Sequence, residues 1–400
     1  MPTGKQYRKK DRLARILRLL RSIRPLTLPV VHRHNQITFF HEGAKFFDAL
    51  YSAIRAAEKF VLVEYFLIRN DRTGNALASE LADAVRRGVR VLLIYDFIGS
   101  IETPSSFFQN MKQQSIEVVA FNVPSFKRGL HWFDRRDHRK LAIIDGVTAF
   151  LGGFNIGDEY AGLTDKPLRF HDAGIRISGS AVPELAKIFS KTWSMERKEN
   201  QPIDFRYKEN IDYSLETGQG NVVIVSGGPH HRRSYIHSAL LINVASTSEE
   251  ILIATPYFIP GARIMRSLLR AARRGVRVRL LLPARCDIPL VRLLGHSYYS
   301  TLLRSGIEVF EIEHEILHAK VMLFDRKRAV IGSANLDQRS FHRNFEINLI
   351  IEDSVFCEQI KSMFCEDFGD SKQIALNEHE QRGIITRALE RLFSLFDWFL

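Results

Sequence analysis

The sequence predicts an α/β protein built from two similar lobes, each a β-sheet flanked by helices. Two observations carry this prediction: a polar pattern that occurs twice, and a matching order of apolar segments around each copy. The chain of 400 residues is also longer than one hydrophobic core usually organises. Apolar and charged fractions of 45% and 26% are those of a globular protein.

The repeated pattern begins at His138, in HRKLAIIDGVTAFLGGFN, and again at His318, in HAKVMLFDRKRAVIGSAN. In each copy a Lys follows the His by two residues, and an Asp, a Gly and an Asn follow at the same intervals. Five fixed positions match by chance at roughly one starting point in a million. The two copies therefore indicate a duplication.

The segments around the pattern repeat as well. VLVEYFLI (61–68) predicts a buried strand, and a helical pattern then leads to RRGVRVLLIYD (86–96). In the second half, ILIATPYFIP (251–260) is followed in the same way by RRGVRVRLLLP (273–283). A repeat of this length indicates duplication of a whole α/β lobe.

We divide the chain into five segments on this basis. They are a basic amphipathic segment (1–28), an N-terminal lobe (29–205), a polar linker (206–220), a C-terminal lobe (221–375) and a C-terminal amphipathic helix (376–400).

Each copy of the pattern predicts a strand, a turn and a returning strand. Residues two apart on a strand face the same side, so His138 projects with Lys140, and His318 with Lys320. The returning strands bring Asn155 and Asn335 back beside them. The candidate catalytic set also includes the pattern's Asp145 and Asp325, although both stand where a turn is expected and we interpret them as structural.

The positive charge is concentrated in a tail. Of the formal net charge of +12, residues 1–25 contribute +8, from nine basic side chains and one acid. RLARILRLLRSIR (12–24) places apolar residues at helical spacing between arginines, which suits an anionic membrane surface or a helix packed on the protein's own core. ITRALERLFSLFDWFL, at the other end, is compatible with the same two alternatives.

Other features exclude several classes of protein. No apolar run approaches the roughly 18–20 residues that cross a bilayer, and the N-terminus is too charged for a secretory signal peptide. Three cysteines without CxxC spacing disfavour a disulfide framework and suit a reducing compartment. We therefore expect a soluble or peripheral protein.

Two His and two Lys point to phosphodiester chemistry. A protonated Lys beside each His opposes a metal cation, and no GxSxG is present for acyl transfer. One imidazole can instead attack phosphorus while the other protonates the leaving oxygen. The lysines and asparagines would hold the non-bridging oxygens as charge builds on them.

The double HxKx4Dx6GxxN pattern resembles the phospholipase D superfamily. In the second half, TPYFIP, AARRGVRVRLLLPARCD, LHAK and GSANLDQRSFHRNFE are similar to bacterial cardiolipin synthases, and the resemblance spans about 30–370. It implies two phospholipase D-like lobes with the active site at their interface, and a two-step reaction through a phosphohistidine without metal or cofactor. Cardiolipin synthases often carry N-terminal transmembrane helices; this chain resembles the shorter, peripheral type.

The resemblance also implies residue roles. By analogy His138 is the nucleophile and His318 the acid/base, although the symmetry of the sequence leaves the reverse assignment open. The family places a carboxylate behind each imidazole, and the matching residues are Asp172 and Glu346; the alternative is that both are ordinary strand-edge acids. Gly153 and Ser333, at matching positions, are candidate substrate-binding residues, and Gly153 lacks the hydroxyl of Ser333.

Three functions are weighed. The first is phosphatidyl transfer between phospholipids, with phosphatidylglycerol as the expected substrate, at the cytoplasmic side of the bacterial cell membrane. The second is a phospholipase D, phosphodiesterase or nuclease, but a nucleic-acid enzyme would spread its basic charge around the groove, so we expect no nucleic-acid partner. The third, a non-catalytic lipid-binding scaffold, would be expected to lose a His or Lys from one copy, and neither is lost.

Overall fold

The computed structural model describes residues 30–124, 131–163, 169–199, 218–229, 234–286 and 288–383. The basic segment 1–28, the linker up to residue 217 and the C-terminal helix beyond residue 383 lie outside the described residues. Within the described ranges, every helix is too short or too polar to cross a membrane.

The N-terminal lobe, residues 30–199, contains eight strands and six helices among its described residues. The strands are β1 (Val31–Phe40), β2 (Phe60–Tyr65), β3 (Arg90–Asp96), β4 (Glu117–Phe121), β5 (Lys140–Ile144), β6 (Thr148–Gly152), β7 (Phe170–His171) and β8 (Gly174–Ser178). The helices are α1 (Gly43–Arg55), α2 (Arg72–Arg86), α3 (Ser105–Gln113), α4 (His131–Asp134), α5 (Asp158–Ala161) and α6 (Val182–Arg197).

The C-terminal lobe, residues 218–383, repeats this arrangement. Its described strands are β9 (Gly220–Gly227), β10 (Glu250–Ala254), β11 (Arg277–Pro283), β12 (Glu308–Ile312), β13 (Ile316–Leu317), β14 (Val321–Phe324), β15 (Arg328–Gly332), β16 (Glu346–Glu352) and β17 (Lys372–Gln373). Its described helices are α7 (Tyr235–Ser246), α8 (Gly261–Arg273), α9 (Pro289–Arg304), α10 (Gln338–His342), α11 (Ser354–Gly369) and α12 (Leu376–Glu380).

The strand order confirms the predicted duplication. Fifteen strands are hydrogen-bonded in the order β17-β12-β11-β10-β14-β15-β16-β9-β1-β8-β6-β5-β2-β3-β4. Outward from the β9–β1 pair, the strand order is the same in both lobes. It is β8, β6, β5, β2, β3 and β4 in the N-terminal lobe, and β16, β15, β14, β10, β11 and β12 in the C-terminal lobe. Strands β2, β3 and β4 are parallel, as are β10, β11 and β12, so helices must cross between them.

The two lobes share a hydrophobic core. Helices α6 and α11 lie within it, through Leu185, Phe189 and Trp193 on one side and Phe356, Ile360 and Phe364 on the other. Each such side chain contributes roughly 1.5–3 kcal/mol when fully buried. Separate apolar clusters lie under α1 and α2 in one lobe and under α7 and α8 in the other. Because both sides of each sheet are covered, β2 is buried along its whole length, and Glu64 is its one charged residue.

Asp145 and Asp325 tie each hairpin to the neighbouring strand. The Asp145 carboxylate accepts hydrogen bonds from the amides of Glu58 (2.9 Å), Lys59 (2.8 Å) and Phe60 (2.9 Å), where β2 begins. Asp325 does the same at the start of β10. Burial raises the pKa of Asp325, but these amide hydrogen bonds outweigh it and the net pKa is lowered.

These contacts correct the inclusion of the two aspartates in the candidate catalytic set. Both lie in the turns of the β5–β6 and β14–β15 hairpins, at the ends of β5 and β14 farthest from the histidines, with positive φ angles of 53° and 51°.

We predict that Asp145→Ala and Asp325→Ala each lower the free energy of unfolding by about 2 kcal/mol, because three charge-assisted hydrogen bonds to partly exposed amides are lost. Urea denaturation measures this, with the exposed Asp48→Ala on α1 as the control. Turnover per folded molecule should match that of the unmodified chain. Loss of turnover at unchanged stability would instead make these residues catalytic.

Candidate active site

The two His-Lys pairs lie at the edge of the sheets where the parallel strands end. Strand β5 runs antiparallel to β2, and its first residue, Lys140, is paired with Tyr65, the last residue of β2. In the other lobe Val321, which follows Lys320, is paired with Ala254, the last residue of β10. Each His-Lys pair is thus fixed by a central strand of its own lobe.

Each imidazole is hydrogen-bonded to a carboxylate of the opposite lobe. Nδ1 of His138 lies 3.0 Å from Oε1 of Glu346, and Nδ1 of His318 lies 2.5 Å from Oδ2 of Asp172. Both carboxylates are fully buried. Because each Nδ1 is committed to a carboxylate, Nε2 is the ring nitrogen left for chemistry. The site therefore needs both lobes.

Main-chain hydrogen bonds between the lobes fix the same segments. The amide of His138 donates to the carbonyl of Phe345 (3.0 Å), and the amide of Phe345 donates to that of Arg136 (2.8 Å). In the other copy, the amide of His318 donates to the carbonyl of His171 (2.8 Å), where β13 pairs with β7 in a two-stranded parallel sheet. In each copy, the residue before the carboxylate (Phe345 or His171) thus bonds the main chain of the histidine whose ring bonds that carboxylate.

Gly153 and Ser333 support the carboxylates by different means. Ser333 Oγ donates to Oε2 of Glu346 at 2.5 Å and is buried. A Cβ on Gly153 would lie 2.0 Å from Oδ1 of Asp172, so no side chain fits there. Asp172 is one methylene shorter than Glu346. Because residue 153 has no side chain, its backbone can lie against the Asp172 carboxylate. Glycine at position 153 therefore goes with the shorter acid, Asp172, and serine at position 333 goes with the longer acid, Glu346. The Ser333 hydroxyl faces Glu346 rather than a substrate.

Burial and mutual repulsion lower the pKa values of the basic groups in the site. Desolvation, reinforced by the charges of Lys140 and Lys320, lowers the pKa of His138 to about 4 in spite of Glu346. Desolvation and Lys320 also lower the pKa of Lys140 to about 7, and the pKa of His318 is lowered for similar reasons. Because each imidazole is bonded to a carboxylate of the other lobe, the two copies of the pattern form one site.

The remaining residues of the pattern line the same edge. Lys140 Nζ donates to the carbonyl of His138 (2.7 Å), and Lys320 Nζ makes the equivalent bond to His318. Asn155 Nδ2 donates to the hydroxyl of Tyr160 (2.9 Å). The side-chain oxygens of Asn155 and Asn335 are buried, and neither accepts a hydrogen bond from the described residues.

Aromatic rings that the sequence did not indicate pack against the histidines. The ring of Phe66 lies 4.9 Å from that of His138, and the ring of Tyr160 lies 5.3 Å from that of His318. Phe170 also contacts His318, at 5.6 Å between ring centroids. Phe66 directly follows β2, Tyr160 lies in α5 and Phe170 begins β7. The second half has no aromatic residue at the matching positions, so comparing the two halves of the sequence could not find them.

Comparisons with known proteins agree with this geometry. The family described as "Cardiolipin synthase, PLD-like domain" matches residues 50–193 and 240–368. The chain is 33% identical over 363 residues to the cardiolipin synthase of Oceanobacillus iheyensis, covering 91% of this chain and 75% of that protein. It is 34% identical over 357 residues to cardiolipin synthase A of Pseudomonas syringae pv. syringae, covering 88% and 72%.

A solved structure with the same fold is the phosphatidylserine synthase of Haemophilus influenzae. It superposes with a TM-score of 0.70 over 91% of this chain and 95% of its own length. The sequence identity is 16%, so this likeness concerns the fold alone.

We predict that Gly153→Ala lowers turnover of a soluble phosphodiester, bis(p-nitrophenyl) phosphate, by about 100-fold, because the new methyl group displaces Asp172 from His318. Ser333→Ala should cost only about tenfold, since Glu346 loses one hydrogen bond and keeps His138. Gly369→Ala is the control, because a Cβ there meets no neighbouring atom. Equal effects of the first two substitutions would contradict the matched pairing of Gly153 with Asp172.

Proposed function

The chain belongs to the family described as cardiolipin synthase, PLD-like domain, and we propose that as a phosphatidyltransferase it makes cardiolipin from phosphatidylglycerol through a phosphohistidine. The observation that carries the proposal is the pair of buried imidazoles, each hydrogen-bonded to a carboxylate of the other lobe. Two such histidines supply the nucleophile and the acid that a two-step transfer requires.

In the first step, His138 Nε2 attacks the phosphorus of phosphatidylglycerol. A nitrogen–phosphorus bond forms, the bond from phosphorus to the glycerol headgroup oxygen breaks, and His318 Nε2 gives its proton to that oxygen, so that glycerol leaves. The lowered pKa of His138 keeps its imidazole neutral and nucleophilic. The negative phosphate favours the protonated form of His318, whereas burial and the charge of Lys320 favour the neutral form.

In the second step, the headgroup hydroxyl of another phosphatidylglycerol replaces glycerol. His318 Nε2 takes the hydroxyl proton, the oxygen attacks phosphorus, and the nitrogen–phosphorus bond breaks to regenerate His138. Lys140 and Lys320 hold the non-bridging oxygens in both steps. No cofactor enters this scheme, because side chains carry every proton and bond. Water in place of the second lipid would give hydrolysis instead, so exclusion of water decides between the two outcomes.

We further propose that the protein works at the cytoplasmic surface of the bacterial membrane. The support is the basic amphipathic segment 12–24, which lies within residues 1–25, the source of +8 of the net charge of +12, and is outside the described residues. Each Lys or Arg near an anionic bilayer contributes about 1 kcal/mol to binding.

We predict that the purified full chain, given vesicles of labelled phosphatidylglycerol, yields cardiolipin and glycerol in equal amounts. Phosphatidic acid alone would mean a phospholipase, and cleavage of DNA without lipid turnover would overturn both readings. His138→Asn and His318→Asn should each lower turnover at least about 10⁴-fold, because each removes a group needed in both steps. Asp145→Ala serves as the control within the same pattern. Near-normal activity of either histidine variant contradicts the two-histidine scheme.

We predict that deleting residues 1–24 weakens sedimentation with phosphatidylglycerol vesicles at least about tenfold and removes its dependence on salt. Turnover of bis(p-nitrophenyl) phosphate should be unchanged, because the active site is untouched. A full chain carrying Leu17→Ser and Leu20→Ser keeps the charge and tests the apolar side of the segment. Unchanged vesicle binding after the deletion would refute the role of the segment.

A further inference from the structure

Five charged side chains are buried beneath His138 and take no part in the proposed reaction. They are Glu64, Asp96, Arg136, Asp137 and Arg139, each between 0% and 5% exposed, and we call them the charge cluster. Buried charges are costly unless they are paired and hydrogen-bonded, so the contacts of this cluster need an explanation.

The cluster consists of two linked ion pairs. Arg139 Nη1 lies 3.2 Å from Glu64 Oε1 and donates to Thr192 Oγ1 at 2.8 Å. Arg136 Nη1 lies 3.4 Å from Asp96 Oδ1. The other oxygen of Asp96 accepts a hydrogen bond from the amide of Asp137 at 2.8 Å, which joins the two pairs through the backbone.

Asp137 completes the cluster as a neutral acid. Within the described part of the chain, neither Asp137 Oδ2 nor Glu64 Oε2 receives a hydrogen bond, although both are buried. Burial, followed by the charge of Glu64, raises the pKa of Asp137 well above its usual range. Two carboxyl oxygens that lack donors can satisfy each other by sharing one proton. One such shared proton would balance the charges of the two arginines and the three carboxyl groups.

The C-terminal lobe has no charge at any equivalent position. Strand register identifies these positions: Glu64 pairs with Leu141, three residues after His138, and Ala254 pairs with Val321, three residues after His318. Glu64 also pairs with Ile94 and Ala254 with Leu281, which aligns Asp96 with Pro283. The counterparts of the cluster are Ala254, Pro283, Ile316, Leu317 and Ala319.

This difference shows that the fold does not need the cluster. Apolar residues at equivalent positions of the other lobe give the same strands with the same register, and such replacements of buried ion pairs are commonly neutral or stabilising. The reason for the charges must therefore lie in what distinguishes His138 from His318.

The cluster contacts the segments that hold His138 and its carboxylate. Arg136 and Asp137 immediately precede His138, and Arg139 follows it. The Arg139 guanidinium lies 5.3 Å from the centre of the Phe345 ring. Phe345 in turn accepts the His138 amide hydrogen bond and is adjacent to Glu346. The charge cluster thus contacts the residues adjacent to both His138 and Glu346.

We propose that the charge cluster is a positioning device that holds His138 and Glu346 in line with the phosphorus, and so makes His138 the histidine that carries the phosphatidyl group. The proposal rests on the two-step function above. A nucleophile must be aligned with the bond that breaks, and a misplacement of about 1 Å can cost 100-fold in rate. An acid/base group only has to reach a proton. The segment that holds His318 is tied by a different and smaller group, in which the His171 ring bonds Glu315 and Asp367 at 3.1 Å each.

The test measures the first step by itself. The full chain is mixed in single turnover with vesicles of phosphatidylglycerol labelled in its phosphate, and quenched in alkali, in which a phosphohistidine survives. In the unmodified chain the label should appear on the peptide that contains His138. Glu64→Gln should slow labelling about 100-fold, whereas Asp137→Asn should leave it within about twofold, because an amide can donate to Glu64 as the neutral acid does.

Two further variants separate positioning from folding. Glu64→Gln with Arg139→Met removes both charges of one pair, so the melting temperature should stay at or above that of Glu64→Gln, while labelling should remain slow. Glu311→Gln removes a buried acid of β12 that accepts a hydrogen bond from Tyr299, and it should label at the unmodified rate.

The outcomes distinguish this proposal from the proposed function. An unmodified chain that makes cardiolipin without ever carrying label overturns the two-step function and this inference together. If His138 is labelled but Glu64→Gln is no slower than Glu311→Gln, only the positioning role is overturned. Label on the His318 peptide also overturns it, while leaving the two-step transfer intact.

Discussion

The hydrogen bond from each imidazole to a carboxylate of the opposite lobe is the constraint on which the site depends. His138 is fixed by a strand of the N-terminal lobe, yet its tautomer is set by Glu346 of the other lobe, and His318 relies on Asp172 in the same crossed manner. Bonds of about 3 Å between lobes tolerate little relative movement. The core shared through α6 and α11 and the pairing of β1 with both β8 and β9 provide that rigidity.

Duplication made much of this predictable from the sequence. Residues that both halves retain stand out against different apolar neighbours, so the two His-Lys pairs, the hairpins and the succession of strands and helices along each half could be inferred. Resemblance to a family added Asp172 and Glu346, but not the crossing. Each acid follows the pattern of its own lobe in the sequence, whereas in the fold it contacts the histidine of the other lobe. Distances between lobes are set by packing, which no local pattern encodes.

The comparison of halves failed where the halves differ. Glu64 and Arg139 have Ala254 and Ala319 as counterparts, so a search for shared residues discards them. Gly153 looked like a lost hydroxyl, although the short Asp172 beside it leaves no space for a side chain. Residues that differ between the halves are nevertheless the ones that can give His138 and His318 different roles, since identical surroundings would give the two histidines the same properties.

The site brings together four basic side chains, two lysines and two histidines. Lys140 and Lys320 repel each other, and burial lowers the pKa of Lys140 and of both histidines, while Asp172 and Glu346 are already engaged with the rings. A phosphate diester supplies negative charge, and it favours protonation of the groups around it. In the proposed reaction, binding of the substrate and acquisition of the catalytic proton are therefore linked. His318 is protonated when a phosphate is bound beside it. His138, which lies next to the charge cluster and is bonded to Glu346, then acts as the nucleophile.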